Sequence, residues 1–180
     1  LSSLGWFSPD VLIDGRMLKS SPELVHPAAR LSIGLGPGFT AGENCHAVIE
    51  TKRGPFLGRV IWSGSAEPDS GLPERVSNYT GERVLRANSD GLFLSAASIG
   101  SHVDAGDVIG WVGSSAINAP FSGVIRGLVH DGLPVTQNMK IGDVDPRDDP
   151  QISRLVSDKA LAIAGAVLEA ILSFAPLRGS

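Results

Sequence analysis

The sequence has a single cysteine, Cys45, and that scarcity excludes an internal disulfide and any cysteine-rich zinc or iron–sulfur site. Long apolar runs are also missing. The longest, Ala160 to Leu168, stops at Glu169, far short of the roughly 20 residues that span a bilayer as a helix. The opening Leu1-Ser-Ser-Leu-Gly-Trp-Phe lacks both the basic flank and the apolar stretch of a signal peptide. Basic residues are few and scattered, 15 against 19 acidic, for a net charge of −4. That balance offers no electrostatic footprint for nucleic acid and no cluster for an anionic membrane surface. These absences favour a cytoplasmic location, with neither nucleic acid nor membrane as a partner.

Glycine and proline are plentiful. With 22 Gly and 12 Pro in 180 residues, many turns and short strands are expected rather than long helices. A composition 42% hydrophobic and 19% charged is that of a globular chain, long enough to bury a core without cross-links. The expected class is mainly β with minor α.

Four segments follow from the pattern. Residues 1–30 contain one short apolar strand, Val11 to Ile13, ending in the turn pair Asp14-Gly15, and read as the remnant of an upstream α/β unit. Residues 31–83 hold a Gly-rich loop, Gly34 to Gly42, and then two strands, His46 to Thr51 and Leu57 to Trp62. Between these lies the turn-forming Lys52-Arg-Gly-Pro-Phe, which makes a β-hairpin. Residues 63–80 are polar and aperiodic, a surface loop.

The third segment, 84–146, repeats itself. Residues 86–112 align with 118–144 at a shift of 32 without gaps, matching Ala87 with Ala119, Gly91 with Gly123, Gly100 with Gly132 and Val103 with Val135. Ile109, Gly110 and Val112 then match Ile141, Gly142 and Val144. The identities fall at turns and at alternating apolar sites, so each copy reads as strand–turn–strand, with an incomplete core that its twin completes. Asp104-Ala-Gly-Asp-Val-Ile followed by Ala119-Pro-Phe-Ser-Gly-Val-Ile resembles the barrel-sandwich hybrid of biotinyl and lipoyl carrier domains. In those carriers a lysine on an exposed hairpin holds the cofactor. Here the hairpin Val112 to Asn118 has none, and Lys140 falls inside a strand, so neither covalent biotin nor lipoate is expected.

Residues 147–180 become helical after Ser157, a fitting N-cap, with Leu161, Ala164, Leu168 and Leu172 at helical spacing. Gly165 and its neighbouring alanines suggest a helix lying close on the β domain and covering it.

Three clusters carry candidate chemistry. The Gly-rich segment could present backbone N–H groups to an anion, but it is neither a phosphate-binding loop with Gly-Lys-Ser/Thr nor Gly-x-Gly-x-x-Gly, and a tight packed loop explains it equally. Cys45-His46 invites a nucleophile–base reading, against which stands a buried thiol beside a satisfied imidazole, since neighbours on a strand point to opposite faces. Glu67 and Asp69 lie on the polar loop, where solvation is the default for carboxylates. His26, His46, His102 and His130 show no ligand-type spacing, so no metal site is expected.

Several stretches together resemble one family. They are Ile33-Gly-Leu-Gly-Pro-Gly-Phe-Thr-Ala-Gly-Glu-Asn-Cys-His-Ala-Val-Ile-Glu-Thr, Leu57-Gly-Arg-Val-Ile-Trp, Gly64-Ser-Ala-Glu-Pro, Met139-Lys-Ile-Gly-Asp-Val-Asp-Pro-Arg and Ser157-Asp-Lys-Ala-Leu-Ala-Ile. The family is that of the YqeB-like, selenium-dependent molybdenum hydroxylase system proteins. The resemblance runs from about Pro9 to Leu172. It implies an accessory protein for maturation or cofactor handling of a xanthine-dehydrogenase-like molybdenum hydroxylase, which would be its partner, and it brings no catalytic residue set. On that reading Cys45 and His46 are the candidate reactive pair. Gly36, Gly38, Thr40, Gly42, Glu50 and Arg53 are the candidate contacts for a molybdenum–pterin or other anionic ligand. The alternative is a non-catalytic interaction module with a carrier-like fold. Oligomerisation is left open.

Overall fold

A computed structural model describes residues 8–22, 28–69 and 81–174. The chain is mainly β with one C-terminal helix, and it divides into two compact units: Leu1–Ser70 together with Val156–Ser180, and Gly71–Leu155.

In the first unit β1 (Val11–Asp14), β2 (Leu31–Leu35) and β4 (Ala47–Ile49) run parallel, and β5 (Val60–Ile61) closes the sheet antiparallel to β4. A short pair, β3 (Thr40–Ala41) with β6 (Gly64–Ser65), stands beside it. The expected hairpin is therefore present, with shorter strands and a wider connection. The boundary placed at residue 30 falls inside this sheet, because β1 is hydrogen-bonded along its length to β2. Residues 70–80 of the polar loop and His26 lie outside the described residues.

Helix α1 (Asp158–Ser173) starts where expected, with the Ser157 hydroxyl accepting the Ala160 N–H at 3.1 Å. Its location differs from the expectation. It packs on the sheet of the first unit, where Ile163, Ala166, Val167, Ala170 and Ile171 meet Leu31, Ile33 and Ile49. Leu161, Leu168 and Leu172, the stripe expected to face inward, lie on the exposed side. The helix is apolar nearly all round, so periodicity alone could not choose its buried face.

The second unit realises the repeat strand by strand. The first copy supplies β7 (Val84–Arg86), β8 (Gly91–Ser95), β9 (His102–Val103) and β10 (Val108–Val112). The second supplies β11 (Ser115–Asn118), β12 (Gly123–Leu128), β13 (Pro134–Val135) and β14 (Lys140–Asp145). Two four-stranded sheets form, ordered β11-β10-β8-β13 and β7-β14-β12-β9. Each takes strands from both copies, and adding or subtracting 32 converts one order into the other.

The core obeys the same relation. Leu85 and Ile117, Ala87 and Ala119, Phe93 and Ile125, Val103 and Val135, Ile109 and Ile141, and Val112 and Val144 form one buried cluster in which only Phe121 lacks a buried twin. Neither copy could bury these side chains alone, which is why the strands interleave. The conserved spacing of glycines has two causes. Gly100 and Gly132 turn the chain at φ +90° and +77°, a region open to glycine. Gly110 and Gly142 permit close strand approach: a Cβ on Gly110 would lie 2.5 Å from the Leu94 carbonyl oxygen and 2.8 Å from the Phe93 ring.

Two substitutions separate packing from propensity. Gly110→Ala should destabilise the chain by about 1–3 kcal/mol through overpacking. Gly165→Ala, whose Cβ meets nothing within 4 Å on the exposed side of α1, should stabilise it by up to about 1 kcal/mol. Denaturant unfolding of both variants against the parent chain measures each effect.

Candidate functional site

The Gly-rich segment lies between β2 and β4, and its glycines serve packing. At Gly34 a Cβ would overlap the Phe39 ring, and at Gly38 it would sit 2.5 Å from the Ser20 carbonyl oxygen. The three N–H groups expected to face an anion are committed internally. Gly36 donates to the Ile49 carbonyl at 3.2 Å, Gly38 to that of Leu18 at 2.8 Å, and Gly42 to that of Cys45 at 2.9 Å. Thr40 is equally engaged, its N–H donating to Asn44 Oδ1 at 2.9 Å and its hydroxyl meeting that of Ser65 at 2.8 Å. The buried Asn44, which sequence reasoning passed over, ties this turn together by donating also to the Gly38 carbonyl.

Cys45 is fully buried with Phe39, Ala41, Val48 and Ala66. Burial pushes its thiol up to about 11, although backbone N–H groups of Gly34 and Ala47 offset part of that rise. His46 lies on the opposite face. Its Nδ1 accepts the Ser32 N–H at 3.0 Å and sits 2.8 Å from the Ser32 hydroxyl, while the ring meets Phe174 edge-on at 5.9 Å. An N–H donor at Nδ1 places the ring proton on Nε2. The pair expected to act as nucleophile and base sits just before β4 and is separated there, the thiol turned into the apolar cluster and the imidazole towards Ser32 and Phe174.

Glu50 is a brace. Its buried carboxylate accepts the Lys52 N–H at 2.8 Å on one oxygen and the Glu67 N–H at 2.7 Å on the other. Outside it Lys52 pairs with Glu67 at 2.7 Å and Lys19 with Asp69 at 2.6 Å, so the two acidic loop residues are ion-paired. Arg53 grips both carboxylate oxygens of Asp158 in the first turn of α1, and that guanidinium holds the carboxyl well below the usual range. The loop brings Glu50, Lys52 and Glu67 together and sends Arg53 to the helix. The N–H groups of Gly36, Gly38, Gly42 and Thr40, expected to meet a molybdenum–pterin or other anion, are bonded within the framework, and Arg53 is engaged with Asp158. Among the described residues, no three His, Cys, Asp or Glu side chains converge as a metal ligand set.

The second unit exposes a different candidate. On the outer face of the sheet β11-β10-β8-β13, Trp111 stands opposite Leu94 on one side and Ala116 on the other, with Leu92 opposite Pro134 beside them. Leu92, Leu94 and Trp111 are 54%, 48% and 39% exposed. Their equivalents at a shift of 32 are Val124, Arg126 and Asp143. There Asp143 is held by Arg83 at 2.8 and 2.9 Å, and the 3-10 turn Pro150–Ser153 packs against β12. One backbone plan therefore carries an open apolar face and a charged, partly covered one. The hairpin tip between β10 and β11 is Gly113-Ser114, with no lysine. Sequence reasoning missed the apolar face. Its signal was Leu92-Phe93-Leu94, which breaks polar–apolar alternation and so implies a strand apolar on both sides.

The chain is similar to the uncharacterized protein YqeB of Escherichia coli strain K12, with 46% identity over 171 residues covering 95% of this chain and 32% of that protein. It thus spans about a third of the length of that curated relative. No protein-family model matches. Two solved structures show partial likeness. One is an aspartoacylase family protein from Mesorhizobium loti, 19% identical with TM-score 0.34, covering 46% of this chain and 27% of that one. The other is a succinylglutamate desuccinylase/aspartoacylase from Rhodobacter sphaeroides, 19% identical with TM-score 0.31, covering 35% and 21%. Likeness of that extent assigns neither fold nor activity to this chain. Among the described residues no helix is long and apolar enough to cross a membrane.

Cys45 provides the direct check on the first segment. Native protein should resist alkylation at neutral pH and react fully only after unfolding. Stability should also fall as pH rises from about 9 towards about 11, because there the unfolded chain releases a proton that the folded chain retains. Cys45→Ala should flatten that part of a pH series of unfolding midpoints. Rapid native alkylation would contradict the buried placement.

Proposed function

The chain is YqeB-like, and from that premise we propose that it is a non-catalytic interaction module that assists maturation of a xanthine-dehydrogenase-like molybdenum hydroxylase. The observation that carries this reading is the apolar row of Leu92, Leu94 and Trp111. A row of large apolar side chains left in water on the centre of a sheet is costly unless a partner covers it, and tryptophan is the residue type most enriched at binding hot spots. The pseudo-symmetric face, built on the same strand plan, has charge at two of those three places, Arg126 and Asp143. That contrast argues for selection of the apolar side chains rather than a requirement of the fold.

The finer fold assignment belongs to the same proposal. Exchange of strands between two copies, paired cores and a tight hairpin tip support a barrel-sandwich hybrid of the biotinyl and lipoyl type. With Gly113-Ser114 at the tip, the module would present a carrier's shape without a carrier's attachment point. The occupant of the apolar face is then an apolar surface of the hydroxylase, and chemistry at the molybdenum centre belongs to that partner.

Calorimetric titration of a purified molybdenum hydroxylase, in its immature form, with this protein tests the reading. Trp111→Glu and Leu94→Glu should each weaken binding at least tenfold without moving the unfolding midpoint, because both residues lie on the exposed side. Cys45→Ser should leave affinity unchanged at temperatures where it stays folded. Absence of binding, or binding that fails with Cys45→Ser and survives Trp111→Glu, would overturn the proposal.

A further inference from the structure

The second sheet of the repeat unit carries a groove of about 340 Å³ between β12 and β14, lined in part by Arg126, Gly127, Leu128, Lys140, Gly142 and Asp143. Its origin is a departure from the internal symmetry. Pairing of β12 with β14 slips between Ile125 and Gly127, whereas the equivalent pairing of β8 with β10 runs without a slip. The irregularity leaves Arg126 as an extra residue and sets two glycines side by side, Gly127 opposite Asp143 and Gly142 opposite Leu128. Only one of those glycines is demanded by packing. A Cβ on Gly142 would lie 2.9 Å from the Gly127 carbonyl oxygen and 3.0 Å from the Leu85 and Leu128 side chains, but a Cβ on Gly127 would meet nothing within 4 Å. The groove floor is therefore bare backbone with open space above it.

The charge around this floor is one-sided. Asp143 is neutralised by Arg83, and Asp145 by Arg147, whose Nε and Nη2 lie 2.9 and 2.7 Å from its oxygens. Arg126 reaches no nearer than 4.0 Å to Asp145, a carboxylate already shared. Lys140 has no carboxylate within ion-pair distance among the described residues, and its register neighbour Arg86 donates to the Asn138 carbonyl. Positive charge in surplus thus gathers at one groove of a chain whose net charge is −4. At the symmetric positions in the other copy the residues corresponding to Arg126 and Lys140 are Leu94 and Val108, so the fold does not require cations there.

We propose that this groove binds a small phosphate monoester. The volume lies at the lower end of ligand pockets, enough for a molecule up to roughly mononucleotide size. Lys140, without a carboxylate partner among the described residues, and Arg126, sharing Asp145 only at 4.0 Å, match a dianionic phosphate, and a guanidinium beside an ammonium suits its oxygens. Leu128 and the glycine floor receive the organic part. This assignment concerns the sheet opposite the apolar face and stands independently of the interaction reading.

Amide NMR titration of the intact chain with adenosine 5′-monophosphate as the probe tests it, with inorganic phosphate and adenosine as comparison probes. Saturable shifts should centre on Gly127, Leu128, Ile141 and Gly142, and weaken with added salt. Inorganic phosphate should move the same amides at least tenfold more weakly, and adenosine more weakly again. Arg126→Glu combined with Lys140→Glu should abolish the shifts. Gly127→Leu, entering open space, should block the nucleotide while the unfolding midpoint is retained, and Trp111→Glu should change nothing at the groove. Absence of saturable shifts, shifts that survive the charge reversal or Gly127→Leu, or phosphate binding as tightly as the nucleotide would overturn the proposal.

Discussion

The side of the backbone on which each side chain falls, fixed within a β-strand by two-residue alternation, decides what this molecule can show to a partner. That placement puts Cys45, just before β4, in an apolar cluster and His46 against Ser32 and Phe174. In the repeat unit it sends Phe93 into the core and Leu92 and Leu94 out to solvent. The first consequence removes a reactive pair that adjacency in sequence suggested. The second creates an exposed apolar face in a place where sequence alone suggested only a strand.

The two units use glycine for different ends. In the first, Gly34 and Gly38 let Phe39 and the chain at Leu18–Ser20 press against the turn, and that turn is fixed further by Asn44 and by internal N–H bonds. In the second, Gly110 and Gly142 let strands from the two copies approach closely enough for a shared core. Gly127 alone, among the glycines of the two central strands of its sheet, stands over open space. That exception marks the groove, where the symmetric plan is broken and charge replaces apolar surface.

Much of the fold was legible because its signals are local. A 32-residue shift located the repeat, since identical residues fall where turns and core positions recur, and Ser157 announced the helix by a cap that needs only neighbouring residues. What was not legible depended on distant partners. The pairing of β1 with β2 joins strands separated by residues 15–30, and nothing near Val11 announces it. The buried side of α1 was hidden because Ile163, Val167 and Ile171 compete with Leu161, Leu168 and Leu172 on a helix apolar nearly all round. At the candidate site, a glycine-rich run for anion binding and one for close packing have the same composition, and only the course of Leu18–Ser20 distinguishes them. The apolar face was within reach of the sequence. Comparing the non-identical positions of the repeat, Leu94 with Arg126 and Trp111 with Asp143, exposes it.

The central claim is that function resides on the outer sheet face of the repeat unit and not in the segment around Cys45. Hydroxyl-radical footprinting of the chain, free and in complex with a molybdenum hydroxylase, measures this directly, because it reports which side chains a partner removes from water. The account predicts that oxidation of Trp111, Leu92 and Leu94 is suppressed in the complex while Trp62 and His46 in the first unit are unchanged. Suppression confined to the first unit, with Trp111 oxidised as in the free chain, would contradict it.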